Sequence, residues 1–431
     1  MTFTQIAALT VFVGAYTLIA TERVHRVAAA LGGAALMLGL GLISGETAYY
    51  SEESGIDWNV IFLLLGMMVI VGVIKRTGLF EFLAIASAKR ARGRPFVVMT
   101  LLVVITAVAS ALLDNVTTVL LIAPVTFLVC DRLALPVVPY LIAEVLASNI
   151  GGAATLIGDP PNIIIASRAN LSFNDFLINL GPFVVVMLAV YVGITRLLFR
   201  KAFRTDPERV AEVMALSERQ AIRNPKLLTQ SLAVLFLVLV GFILHTVLHV
   251  EPSVVALLGA GLLVLISRIT TEDAIADVEW ETLVFFMGLF IMVGALVDTG
   301  LIGMGADALA RATGDNLWLT VVLLVLVSMV LSGLVDNIPY VATMAPVVAV
   351  LVENNGGSES TVLWWALALG ADLGGNATAV GASANVVVLG LAQRNGTPIS
   401  FWEFTKYGLV VTAASAALAL PYLWLRYFAL A

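Results

Sequence analysis

The chain has 431 residues, of which 60% are hydrophobic and 12% charged, and its formal net charge is -6. Soluble domains carry about a quarter charged residues, so this composition excludes a soluble globular protein and a nucleic-acid partner and indicates a protein of the lipid bilayer. The single cysteine, Cys130, excludes an internal disulfide and a multi-thiolate metal site.

Apolar segments follow one another along the whole chain. They lie near residues 3–20, 27–44, 59–74, 96–113, 115–130, 138–167, 176–195, 227–248, 253–267, 281–297, 316–334, 337–352, 361–392 and 407–428. The first predicts a retained span, because no basic region precedes it and a charged turn follows it. Residues 78–93 predict a short interfacial helix that ends in a basic anchor.

The second half of the chain repeats the first at an offset of 222 residues, the separation of Trp58 from Trp280. The matched residues include Asp114, Asn115 and Pro124 with Asp336, Asn337 and Pro346 and, after a one-residue slip, Gly151, Gly152, Thr155 and Asn162 with Gly374, Gly375, Thr378 and Asn385. This periodicity predicts two repeats, 1–198 and 227–431, joined by a charged cytoplasmic linker at 199–226.

Each repeat departs twice from plain spanning helices. The Asp-Asn pairs at 114–115 and 336–337 interrupt apolar segments, where a charged residue costs about 2.5–3.5 kcal/mol. They therefore predict the tips of two re-entrant hairpins. The segments 138–167 and 361–392 contain glycines, and the first also contains prolines. Since these residues disfavour helix, both segments predict broken helices.

The topology follows from the hairpins. If neither hairpin crosses the membrane, an odd number of spans separates repeat mates, and the repeats are inverted. The predicted fold is therefore an all-α polytopic membrane protein with about ten spans, two broken helices and two hairpins, which points to a transport site at the midplane. Every lysine and arginine except Arg168, Arg311 and Arg426 then falls on one side. The positive-inside rule makes that side the inside, with both termini outside. The location that we expect is the bacterial inner membrane.

Five acidic residues fall within apolar segments, namely Asp114, Glu144, Asp159, Asp336 and Asp372. We expect no lysine or arginine at comparable depth, so these carboxyls should take up H+ or Na+. Inversion should bring Asp114 and Asp336 towards one another. The candidates for proton coupling are Asp114, Asp336, Glu144 and Asp372. The alternative for Asp114 and Asp336 is that they only cap the hairpin helices.

Neutral polar residues and glycines surround these carboxyls in the sequence. The further candidates for substrate or ion binding are Asn115, Thr117, Thr118, Ser148, Asn149, Gly151, Gly152, Thr155, Asn162, Asn337, Gly374, Gly375, Asn376, Thr378, Ser383 and Asn385, together with Asp114, Asp159, Asp336 and Asp372. The alternative is that they serve helix packing and interhelical hydrogen bonds. We expect no cofactor and no catalytic residue. Na+ at the hairpin tips is the one metal ion that this pattern leaves open.

The runs at 113–119, 147–162 and 335–339 resemble the ion transporter superfamily, in the branch of arsenite permeases, NhaD-type sodium/proton antiporters and the melanosomal P-protein. The resemblance implies an elevator-type motion against a scaffold that often forms a homodimer. It implies a ligand role for Asn115 and Asn337. Sodium-coupled dicarboxylate carriers of the same superfamily have Ser-Asn-Thr at the tips, and the serine and threonine roles are lost here.

We therefore expect a secondary transporter, not an enzyme: a proton-coupled exporter of a small ion or polar solute. Arsenite or antimonite is favoured, because 370–375 and 390–402 resemble arsenite permeases. A Na+/H+ antiporter is the alternative, and an anion or dicarboxylate carrier and an ion channel remain further alternatives. An intramembrane aspartyl protease is disfavoured, because Leu156 stands where its Gly-x-Gly-Asp signature requires glycine.

Overall fold

The computed structural model describes residues 1–21, 23–51, 53–203, 218–314, 316–355 and 358–430. Within these ranges every regular element is helical, which confirms the prediction of an all-α polytopic protein. Nine of the described helices are long and apolar enough to cross a membrane. These nine include arms of both predicted hairpins, so their number is not a count of crossings.

The part of the first half that the structure describes forms eleven α-helices. They are α1 (Phe3–Ala20), α2 (Arg26–Gly39), α3 (Gly45–Tyr50), α4 (Trp58–Lys75), α5 (Leu79–Arg90), α6 (Pro95–Leu112), α7 (Asn115–Leu133), α8 (Val137–Gly152), α9 (Pro160–Ala169), α10 (Phe173–Asn179) and α11 (Gly181–Leu198). The helix α5 covers the predicted interfacial segment.

In its described residues the second half follows the same order without a counterpart of α10. Its helices are α12 (Pro225–Leu248), α13 (Pro252–Ser267), α14 (Thr271–Ala276), α15 (Trp280–Asp298), α16 (Leu301–Thr313), α17 (Leu317–Leu334), α18 (Asn337–Asn355), α19 (Val362–Gly374), α20 (Ser383–Arg394) and α21 (Phe401–Trp424). Residues 204–217 of the proposed linker lie outside the described part of the chain.

Local sequence explains where the hairpin and broken helices end. Asp114 adopts an extended conformation between α6 and α7, and its Oδ1 accepts a hydrogen bond from the backbone N–H of Thr117 at 2.7 Å. This is an N-cap. In each half the chain then unwinds between the two parts of the broken helix, from Gly152 to Pro160 and from Gly374 to Ser383.

Glycine allows each broken helix to touch its hairpin. A Cβ added at Gly151 would lie 2.1 Å from the carbonyl oxygen of Ala107 on α6, and one added at Gly374 would lie 2.6 Å from Cα of Met329 on α17. The helix pairs α6–α8 and α17–α19 accordingly pack closely against each other. These glycines therefore permit close helix packing, and their role in ligand binding stays a prediction.

The two halves exchange contacts in a symmetric way. In the scaffold, α4 packs on α13 and α15 packs on α2. Gly66 and Gly288 meet the backbones of Ala256 and Ala30, respectively. In the centre, α7 packs on α20 and α18 packs on α9, so each hairpin contacts the broken helix of the other half. This pseudo-twofold arrangement brings both hairpin tips to one place.

Candidate functional site

The carboxyl group of Asp159 lies where the two hairpin tips meet. Its side chain is fully buried. Nδ2 of Asn115 donates to Oδ2 of Asp159 at 2.8 Å, and Nδ2 of Asn337 lies 3.3 Å from both Oδ atoms. Asn115 and Asn337 are the first residues of α7 and α18. One carboxyl in the unwound part of the first half thus accepts hydrogen bonds from the hairpin tips of both halves.

A chain of amides extends from this carboxyl into the second half. Nδ2 of Asn115 also lies 3.2 Å from Oδ1 of Asn149, and Nδ2 of Asn149 lies 3.0 Å from Oδ1 of both Asn376 and Asn385. All four side chains are at most 2% exposed. The structure therefore gathers these predicted site residues into one continuous network.

Two further asparagines hold the unwound segments together. Nδ2 of Asn162 donates to the carbonyl oxygen of Thr155 at 3.1 Å and reaches that of Gly152 at 3.4 Å. Nδ2 of Asn385 donates to the equivalent oxygens of Gly375 at 2.8 Å and Thr378 at 2.9 Å. The backbone carbonyls that were expected to face a ligand are thus occupied by amides of their own repeat.

Hydroxyl groups tie the hairpins to the broken helices. Oγ1 of Thr155 and Oγ1 of Thr378 each donate to a backbone carbonyl of a hairpin arm at 2.5 Å, and Oγ of Ser148 donates to the carbonyl of Asn115 at 3.0 Å. Thr117 supplies the backbone N–H that Asp114 caps. These four residues position the site.

The hairpin tips are not equivalent. Both tip aspartates accept a backbone N–H of their own helix, Asp114 from Thr117 and Asp336 from Ile338, but Asp336 accepts a further hydrogen bond from the hydroxyl of Ser383. Asp114 interacts electrostatically with Asp159 and with Glu279 at the start of α15. Asp336 interacts with Asp159 and with Arg26. In the described contacts Asp159, rather than a direct pair of tip aspartates, connects the two tips.

Arg26 corrects the expectation that no basic residue reaches this depth. From the start of α2 its Nη1 donates to Oγ of Ser383 at 2.9 Å, and its Nη2 lies 3.4 Å from Oγ1 of Thr282 on α15. Its depth could not be read from the sequence, where it ends a charged turn. The long side chain reaches from the scaffold to the second broken helix, which only the packing of α2 on α15 reveals.

A cavity of about 720 Å³ leads to the second tip. Arg26, Glu279, Thr282, Asp336 and Ser383 line it, with apolar residues of α7 and α20. A second cavity of about 550 Å³ lies between the elements that correspond, through the internal repeat, to those around the first cavity. Residues of α4, α9 and the turn before α13 line it. Asp114 is not among the residues that line it. The two cavities therefore give unequal access to the two tips.

Several buried oxygen atoms of the site have no hydrogen-bond partner among the described residues. They are Oδ1 of Asn115, Oγ1 of Thr118, Oδ1 of Asn162 and both Oδ atoms of Asp372. Buried polar groups normally are hydrogen-bonded. A set composed entirely of oxygens can receive a proton, a cation or the hydroxyl of a solute.

Glu144 lies apart from this network. It is 3% exposed, and its Oε1 accepts a hydrogen bond from Oγ1 of Thr126 on α7 at 2.6 Å. Cys130 and Tyr191 are its electrostatic neighbours. The structure does not place Glu144 in contact with Asp159. Its role as a proton-coupling residue stays a prediction.

Comparisons with known proteins agree with this architecture. The family model described as a citrate transporter, CitMHS, matches residues 16–370. An uncharacterized transporter of Mycobacterium tuberculosis, Rv2684, is 58% identical over 427 residues, which cover 99% of both chains. The human P protein is 33% identical over 500 residues, covering 97% of this chain and 60% of that protein.

The fold has a counterpart among solved structures. The YdaH transporter of Alcanivorax borkumensis aligns with a TM-score of 0.61 at 15% identity, covering 93% of this chain and 96% of that one. The family match and the similarity to the human P protein confirm the resemblance to the ion transporter superfamily. The chain belongs to the citrate transporter (CitMHS) family and is a multi-pass membrane transporter.

Proposed function

We propose that the protein is a proton-coupled antiporter, and that Na+/H+ exchange is the function that its central residues support best. The observation that carries this proposal is the position of Asp159. Its buried carboxyl accepts hydrogen bonds from the amides of Asn115 and Asn337. One ionisable group is therefore bonded to the tips of both hairpins. A cation that binds or leaves there changes the balance of charge for both halves.

The physical argument rests on charge compensation. A carboxylate buried away from water is costly unless a positive charge accompanies it. The groups hydrogen-bonded to Asp159 are neutral amides, and Asp372 interacts with it as a second acid. H+ and Na+ are cations small enough to compensate these carboxyls, and broken helices at a repeat interface commonly bind them.

Arsenite or antimonite is the second candidate cargo. As(OH)3 is uncharged at neutral pH and carries hydroxyl groups. The oxygens of Asn115, Thr118 and Asn162 can accept hydrogen bonds from them, since these atoms have no partner among the described residues. Export of such a solute in exchange for protons uses the same carboxyls. The resemblance of 370–375 and 390–402 to arsenite permeases supports this candidate.

Citrate fits the centre less well, although the family description names it. A tricarboxylate beside Asp159 would place like charges together in a medium of low dielectric constant, which costs several kcal/mol. Arg26 is the basic residue that reaches the second tip through the larger cavity. An anion is therefore not the proposed cargo, and the transport experiment below includes anions for comparison.

An elevator-type motion completes the proposal. The hydrogen bonds of Asn115, Asn337 and Asn149 join the hairpins and broken helices into one unit, while α2, α4, α13 and α15 pack with each other as a scaffold. Movement of the unit against the scaffold would expose the site to each side in turn. The family resemblance adds a homodimer through the scaffold.

The test is transport by purified protein in liposomes that contain a pH-sensitive dye. With an imposed pH gradient, Na+, arsenite, chloride, succinate and citrate are offered in parallel. We expect Na+ to dissipate the gradient, and arsenite to do so if it is the cargo. Dissipation by citrate alone contradicts the proposal. Equal solute flux with the gradient present, reversed or collapsed indicates a channel instead.

A further inference from the structure

The guanidinium of Arg26 lies between the scaffold and the second broken helix, in contact with three side chains. Its Nη1 donates to Oγ of Ser383 at 2.9 Å, its Nη2 lies 3.4 Å from Oγ1 of Thr282, and its Cζ lies 5.6 Å from the centre of the Phe285 ring. The face of an aromatic ring attracts a cation at this distance. Two hydroxyls and one ring therefore form a site for a guanidinium group.

The other half of the protein has apolar residues at the positions of this site. Arg26 is the first residue of α2, and its structural counterpart is Pro252, the first residue of α13. Four positions later, Ala30 and Ala256 meet the matched glycines of the scaffold. The contacts of Arg26 are replaced as well, by Val60 for Thr282, Leu63 for Phe285 and Pro160 for Ser383. Because the repeat builds the same walls without these groups, packing of the scaffold does not require a guanidinium here.

One hydroxyl joins this cation to the acid of the second hairpin tip. Oγ of Ser383 accepts a hydrogen bond from Arg26 and donates one to Oδ2 of Asp336. Arg26 and Asp336 also interact electrostatically. A buried carboxylate is costly without a compensating positive charge. In this arrangement of the two units, Arg26 supplies that charge from the scaffold.

The other charged groups of the larger cavity favour a cation there rather than an anion. Glu279 and Asp336 both line the cavity, and Glu279 also interacts electrostatically with Arg26. Glu281 and His25 line it too, and they are exposed and lie 3.5 Å apart. Two acids therefore flank one guanidinium, so an anion drawn to Arg26 would be repelled by both.

We propose that Arg26 is a tethered counter-cation, which competes with the transported cation at Asp336 on the side where the larger cavity opens. A cation that approaches Asp336 through this cavity meets a positive charge already in place and has to displace it. Pro252 carries no charge, so this competition acts on one side of the membrane alone. Arg26 thereby raises the KM for uptake of the cation from the larger cavity. That the cargo is a cation rests on the proposed function.

Three variants of Arg26 separate this role from that of a hydrogen-bonded link between scaffold and broken helix. Arg26→Gln removes the charge and keeps an amide donor for the hydroxyls. Arg26→Ala removes both the charge and the donors, and Arg26→Lys keeps the charge. The matched control is Arg23→Ala, because Arg23 is an exposed arginine three residues earlier.

The first measurement is Na+ transport into vesicles in which the larger cavity faces the added Na+. We expect the KM for Na+ to fall several-fold in Arg26→Gln and Arg26→Ala, and to stay at the wild-type value in Arg23→Ala. Arg26→Lys should lie between the wild type and Arg26→Gln. A role as a hydrogen-bonded link predicts a wild-type KM in Arg26→Gln, and that result overturns the proposal.

The second measurement tests the cation site without transport. Millimolar methylguanidinium chloride should raise the Tm of Arg26→Ala in detergent, because a ligand that refills the vacated site stabilises the folded protein. Tetramethylammonium chloride should not. The wild type and the double variant Arg26→Ala/Asp336→Asn should not respond to methylguanidinium.

Two results of this second measurement contradict the assignment of the site. They are an unchanged Tm of Arg26→Ala and an equal rise in the double variant. A rise that depends on Asp336, in a protein that shows no Na+/H+ exchange, supports the site at Arg26 and contradicts only the proposed function.

Discussion

Arg26 on α2 donates a hydrogen bond to Ser383 at the start of α20, with 2.9 Å between Nη1 and Oγ. Ser383 in turn donates to Asp336. This relay joins the scaffold to the second hairpin. The first half lacks it, because Pro160 begins α9 where Ser383 begins α20. The internal symmetry of the fold is therefore broken at the point where the larger cavity reaches the site.

The first prediction concerns Arg26→Gln. A hydrogen bond from a charged donor is worth about 1.5–3 kcal/mol, so its loss should shift the population away from the arrangement with the larger cavity open. A thiol introduced as Val386→Cys, which lines that cavity, should then react about tenfold more slowly. The labelling rate is measured with Cys130→Ser as background. Arg26→Lys keeps the charge but not the forked pair of donors. Its labelling rate should lie between those of the protein with Arg26 and of Arg26→Gln.

The second prediction concerns Asp159→Asn. Asn115 and Asn337 both donate to the carboxyl of Asp159, and an amide offers them only one acceptor oxygen. We expect folded protein with a lower Tm and no transport coupled to a pH gradient. The control is Asp298→Asn, an exposed acid at the end of α15. Wild-type coupling in Asp159→Asn would remove this residue from the mechanism.

The third prediction tests the contact of the broken helices with the hairpins. Gly151→Ala and Gly374→Ala each place a Cβ within 2.6 Å of backbone atoms, whereas Gly193→Ala on α11 meets nothing within 4 Å. Overpacking of this kind costs about 1–3 kcal/mol. The Tm should fall in the first two variants and stay or rise in the third. Equal Tm values in all three would show that the contact is loose.

Much of the architecture could be predicted from the sequence, because its signals are local. Aspartate in an apolar segment, glycine and proline in a second segment, and their recurrence 222 residues later all lie in the chain itself. They indicated the hairpins and broken helices that the described residues form. Most predicted segments start within two residues of an observed helix, whereas the segments predicted at 176–195 and 407–428 start at Gly181 and Phe401 instead.

The centre of the site was harder to predict. Repeat symmetry predicts a centre at the two matched tips, yet the residue that both tips contact is Asp159, whose repeat mate is Ala382. Its role depends on the exchange of hairpins between halves, which no local pattern encodes. The depth of Arg26 depends in the same way on how α2 packs against α15.

The fourth prediction is topological. A cysteine probe at Ser51 should react from outside and one at Arg92 from inside, because basic residues accumulate on the inside. The partner positions Gly356, expected outside, and Glu212, expected inside, lie outside the described residues. Background labelling should be low, since Cys130 is buried. Reaction of Arg92 and Gly356 from the same side would contradict the inverted repeats.

The last prediction separates helix capping from proton coupling at the hairpin tips. The expected change in Tm differs between the two tips, because their contacts differ. Asp114 caps α7 through Thr117, and asparagine caps a helix as well as aspartate does. Asp114→Asn should therefore keep the wild-type Tm, and Asp114→Ala should lose about 1 kcal/mol.

Asp336 also has Arg26 as an electrostatic partner and accepts a hydrogen bond from Ser383. Asp336→Asn leaves Arg26 without that anion, so its Tm should fall further than that of Asp114→Asn. If the tips also take part in proton exchange, both asparagine variants should lose coupled transport although both remain folded. If they only cap, both asparagine variants should transport normally, and each alanine variant should have a lower Tm than the asparagine variant at the same position. Flux and Tm measured on the same four preparations decide between these roles, because a cap changes Tm without changing the response of transport to the pH gradient.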